Sequence, residues 1–100
     1  MALAGEIARE VGAAPTVVSA EVHDRAVAML SGVPLVIARA LAAAGADVAD
    51  LAGPGFRDMT RLAATPQPLA DAMLAGNAAE IRAALAAFRL ALDAADRDLG

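Results

Sequence analysis

Val22, Ala26, Met29, Val33, Ile37 and Leu41 recur at helical spacing, and the pattern predicts a single helix from about Ala20 to Ala44. At 1.5 Å per residue that helix is roughly 37 Å long, against a radius of gyration near 13 Å for a compact globule of about 100 residues. It must project and pack on a partner. Ser19 is placed to cap its start, and Glu21 lies in the first turn, where the helix dipole favours an acid. Gly32 and Pro34 fall in its middle. Proline removes a backbone hydrogen bond and crowds the preceding turn, so a kink is expected near Ser31.

The rest of the chain supports an all-α fold. Hydrophobic residues make up 59% of the sequence but aromatics only 2%, so helices are expected to meet closely through alanine. A domain of this size leaves much apolar surface uncovered, and a mean hydropathy of +0.57 makes oligomerisation the natural cover. The net charge is −4, and neither a lysine nor a basic run is present, which argues against nucleic acid as a partner. With no cysteine, thiol catalysis and disulfides are excluded, as suits a cytoplasmic protein. The uncharged run between Arg25 and Arg39 is shorter than the roughly 20 residues of a spanning helix, and the N-terminus has no signal pattern, so no membrane is expected.

Leu3, Ile7 and Val11 predict a short helix over residues 2–11, and Pro15–Ser19 reads as a strand or extended linker without a partner strand. Asp47–Ala52 has room for one or two turns before the Gly53-Pro54-Gly55 break. A short helix is expected over Phe56–Ala63, and Thr65-Pro66 should cap another that runs to about Ala75. Asn77 with Glu80 forms a capping-box pattern for a last helix to about Asp98. Its stripe of Ile81, Leu85, Phe88 and Leu92 reads as core.

The chemistry concentrates behind the glycine break. Arg57 and Arg61 lie four residues apart, Thr60 adds a hydroxyl, and the helix start offers free amides, which together suit a carboxylate or phosphate. An Asp58–Arg61 ion pair on a solvated face is the competing reading. His23, the only histidine, precedes Asp24 in the first turn of the long helix, and no metal-ligand cluster surrounds it. No dinucleotide-binding, phosphate-loop, zinc-protease or nucleophile-elbow motif is present, so no catalytic, metal or cofactor-binding residue is assigned.

The order of motifs resembles a known family. His23-Asp24-Arg25-Ala26-Val27-Ala28 is followed by Ser31-x-x-Pro34, then Ala52-Gly53-x-Gly55-Phe56-Arg57-Asp58-Met59-Thr60-Arg61-Leu62-Ala63, then Asn77. This is similar to the C-terminal helical dimerisation domain of prephenate dehydrogenases, a fold like the C-terminal domain of 6-phosphogluconate dehydrogenase. The resemblance covers about residues 3–98. It implies that residues 1–19 end a Rossmann domain and that residues 20–100 form a dimerisation and substrate-binding domain with a long kinked central helix.

The implied activity is NAD(P)-dependent oxidative decarboxylation of prephenate, in tyrosine biosynthesis, with the cofactor held in a separate N-terminal domain. This chain would be inactive by itself. The implied partners are a second copy, bound through residues 20–44 and neighbouring helices, and a small carboxylate substrate, prephenate or arogenate. Arg61 matches the substrate-carboxylate arginine, Arg57 and Thr60 its supporting turn, and His23 joins them as a substrate-binding candidate. Two departures stand out: Gly32 replaces a pocket histidine, and Ala70 replaces an aromatic, both losses being expected to face the ligand. A stand-alone, non-catalytic helical dimer module that kept the fold is the alternative.

Overall fold

The computed structural model describes residues 18–100. The helix expected at residues 2–11 lies outside the described residues, as does the Pro15–Ser19 stretch except for Val18 and Ser19. Ser19 has extended backbone, with φ −67° and ψ 158°.

The long helix forms, and Ser19 caps it: its Oγ accepts a hydrogen bond from the Val22 amide at 3.2 Å. Helix α1 (Ala20–Val27) passes through a π-turn (Ala28–Gly32) into α2 (Val33–Ala44). The irregularity predicted near Ser31 is therefore a widened turn inside a continuous helix. Pro34 has no amide hydrogen and its ring would press on the Leu30 carbonyl, and an extra residue in the turn relieves the crowding. The extra residue also changes which side chains align. The stripe continuing Val22 and Ala26 runs through Leu30 to Pro34, Ile37 and Leu41, while Val33 is buried and Met29 is 39% exposed.

A last helix, here α5 (Ala78–Arg97, numbered in chain order), packs against α1, the π-turn and α2. Contact is close because Gly32 has no side chain. A Cβ there would lie 2.7 Å from Ile81 Cγ1 and 2.8 Å from Ile81 Cδ1. Asn77, just before α5, donates from Nδ2 to the Asp24 carbonyl at 2.8 Å. The expected capping box is not formed, because the Asn77 amide is drawn to α1 across 53 positions of sequence.

On the far half of the long helix, a 3-10 turn (Ala46–Leu51), α3 (Pro54–Thr60) and a second 3-10 turn (Arg61–Ala64) fold back onto α2. Gly45 permits the return: a Cβ there would sit 2.6 Å from Phe56 Cε1. Helix α3 starts two residues before the expected Phe56, since Pro54 suits the first position of a helix. Helix α4 (Gln67–Ala75) follows, but Thr65 does not cap it. The Thr65 hydroxyl instead donates backwards to the Leu62 carbonyl at 2.7 Å.

The core consists of Ala28, Val33, Leu35, Ala38, Ala70 and Ile81. Of the α5 stripe expected as core, Ile81 is 5% exposed, but Leu92 is 55% exposed, because α5 runs beyond the helices it rests on.

Replacing Asn77 distinguishes its two roles. Aspartate is as good an N-cap as asparagine, but it cannot donate to the Asp24 carbonyl, so Asn77→Asp should lower stability by about 1 kcal/mol. Urea unfolding at fixed protein concentration measures this; an unchanged midpoint would restore the capping role.

Candidate carboxylate site

Arg61 opens the 3-10 turn after α3 and lines a hollow of about 310 Å³ with Pro34, Ile37, Asp58, Met59 and Leu62. That volume lies at the lower end for a small-ligand pocket. Its floor is apolar and its charged groups are the Asp58 carboxylate and the Arg61 guanidinium. They lie 3.8 Å apart, with side chains 76% and 74% exposed. At that exposure the pair adds roughly a few tenths of a kcal/mol at most, so it orients Arg61 more than it stabilises the fold.

The other candidates do not gather there within one protomer. Thr60 Oγ1 donates to the Phe56 carbonyl at 2.8 Å, bonding back along its own helix. Arg57 is exposed and lies outside the lining of the hollow. The amides at the start of α3 lie about 10 Å from Arg61, because the helix begins at Pro54, seven residues earlier. His23 lies on α1, eleven residues before Pro34, or roughly 16 Å along the helix. Its Nδ1 is 3.7 Å from the Asp24 carboxylate, and both side chains are more than half exposed.

Gly32 and Ala70 are both buried among the described residues. Ile81 fills the space above Gly32, and Ala70 is 0% exposed. Small residues at these points draw the helices together, which the motif comparison could not reveal.

Arg39 went unnoticed in the sequence pattern. Its Nη1 lies 3.7 Å from Asp71 of α4, whose Oδ1 also accepts from Gln67 Nε2 at 2.8 Å. Arg39 Nη2 is buried and has no hydrogen-bond partner among the described residues. A lone arginine between Ile37 and Leu41 on an apolar helix was the available signal. Among the described residues, no three histidine, aspartate or glutamate side chains group as metal ligands.

An all-α fold whose longest helix keeps an apolar stripe exposed among the described residues has the surface of a helical association domain. A family model described as "Prephenate dehydrogenase, dimerization domain" matches residues 19–99, and the chain belongs to that family. No match was found among curated proteins or solved structures.

The Ala20–Ala44 helix has one further property. It is long and apolar enough to cross a membrane by length and composition, with a mean hydropathy of 1.9 in its 18-residue window. Glu21, Asp24, Arg25 and Arg39 interrupt that length, and the uncharged run between Arg25 and Arg39 remains shorter than a span.

The Gly32–Ile81 contact is testable through coupling. Gly32→Ala should destabilise by about 1–3 kcal/mol through overpacking, despite alanine's better helix propensity. Combined with Ile81→Ala, the loss should be smaller than the sum of the two single losses. Strict additivity in denaturant unfolding would contradict the contact.

Proposed function

We propose that residues 20–100 supply the dimer interface and a substrate-carboxylate anchor to a prephenate dehydrogenase-like oxidoreductase of tyrosine biosynthesis, and that residues 1–19 end its cofactor domain. The reaction is the oxidative decarboxylation of prephenate to 4-hydroxyphenylpyruvate, or the corresponding reaction of arogenate, with NAD or NADP taking the hydride. The described residues do not fit that cofactor: they include no strand, and hence no strand-turn-helix crevice to cradle a dinucleotide. Their part is to bind and orient, and the chain is inactive alone.

One observation carries this reading. Arg61 stands beside Pro34 and Ile37 of the long helix, so the anchor and the helix available for dimerisation share one place. A guanidinium presents a planar fork of donors that matches a carboxylate, and the apolar floor suits the substrate's hydrocarbon ring.

A second reading, a helical interaction module without catalytic work, is favoured by Ile81 filling the position where the family carries a histidine. Binding separates the two. With the chain joined to its cofactor domain, Arg61→Ala should weaken prephenate binding by on the order of 10- to 100-fold in calorimetry. Stability should stay within about 0.5 kcal/mol, since the pair it breaks is exposed. Unchanged binding would remove the anchor and leave the interaction module. Both readings require a dimer, so a monomer in sedimentation at micromolar concentration would overturn both.

A further inference from the structure

Val22, Ala26, Leu30, Pro34, Ile37 and Leu41 form one stripe on the long helix, with the π-turn absorbing the extra residue. The stripe is open at its N-terminal half, where Val22 is 41% and Leu30 71% exposed. Towards its C-terminal half it is flanked by α3 and the Arg61 turn, with Met59 and Leu62 still exposed beside it.

Its spacing is nearly symmetric about a point between residues 31 and 32. Reversed onto itself, the stripe sets Val22 opposite Leu41, Ala26 opposite Ile37 and Leu30 opposite Pro34. A two-fold axis across a helix pairs it with its own copy in the antiparallel sense, residue i meeting j and j meeting i. Antiparallel pairing sets each open half against the partner's flanked half and keeps the two α3 segments at opposite ends. Parallel pairing would bring them to the same level.

We infer that the long helices of two copies pack antiparallel in this register, and that Ala26 and Leu30 of the partner subunit roof the hollow containing Arg61. The site is incomplete in a single protomer. The inference rests on the proposed dimer and carboxylate anchor, and it explains why Arg61 is so open to solvent: the missing wall belongs to the second copy. Ala26 opposite Ile37 pairs a small residue with a large one, which lets the helices approach to the usual 8–10 Å.

The chain has no cysteine, so introduced thiols report this register directly. Residues 26 and 37 lie roughly 16 Å apart along one helix, too far for an intrachain disulfide, and each would lie similarly far from its own copy across the axis. Under mild oxidation Ala26→Cys mixed with Ile37→Cys should give a covalent dimer, while neither variant alone should. Each single variant can be checked for folding before mixing. Efficient cross-linking of either variant alone, or none in a mixture that sedimentation shows to be dimeric, would overturn the register.

The roof has its own readout. Peptide-resolved labelling of Arg61 by phenylglyoxal should rise when Leu30→Asp separates the dimer, and equal labelling would overturn the roof. Neither measurement needs substrate, so a failed anchor and a failed pairing are distinguishable: Arg61→Ala tests only the first.

Discussion

The seating of Ile81 on Gly32 is the contact on which the fold depends. Pro34 forces the long helix to widen, the π-turn presents a glycine at the widened place, and α5 approaches because no Cβ stands in its way. Asn77 ties the start of α5 to the Asp24 carbonyl. Two fixed points, one apolar and one polar, set how α5 crosses the long helix. The return on the other side uses the same device, with Phe56 against Gly45. Helices with little aromatic surface gain contact by coming nearer.

This economy of side chains has a consequence for the surface. Among the described residues three of the six buried hydrophobics are alanines, so the core gains its cohesion from proximity and leaves larger residues outside. Leu30, Leu51, Leu90 and Leu99 are each more than two-thirds exposed. Such a protomer is poorly covered by its own chain, and the long helix carries much of the excess. Membership of a dimerisation-domain family accounts for that imbalance in physical terms.

Local signals in the sequence were legible where the causes are local. The Ser19 cap, the irregularity before Pro34 and the start of the last helix near Asn77 depend on neighbours a few residues away. What escaped depends on distant partners or on a phase shift. Nothing near Asn77 announces that its amide reaches α1, and nothing near Gly32 announces Ile81. The π-turn moved the stripe from Met29 and Val33 to Leu30 and Pro34, an offset invisible to a fixed helical period. At Arg61 the spacing foretold the Asp58 ion pair on an exposed face, the reading that competes with an anion site. The spacing did not show that the Thr60 hydroxyl donates to the preceding turn or that α3 begins at Pro54, well before Arg61.

The electrostatics of Arg61 link the site to the assembly. Two unit charges about 4 Å apart attract by about 1 kcal/mol in water and about 4 kcal/mol at the dielectric of a partly covered surface. In the protomer Arg61 lies near the first limit, because its side chain is 74% exposed. Asp58 does not exhaust it, since a guanidinium has five donors and the nearest approach is a single Nη1 contact at 3.8 Å. Asp58 thus leaves donors of the guanidinium free for the carboxylate proposed above. Excluding water above Pro34 and Ile37 would strengthen both attractions, and in the proposed dimer the partner's long helix would do so. In the proposed dimer, association and anchoring would be one energetic problem, since a helix that buried its stripe there would also lower the dielectric around the arginine.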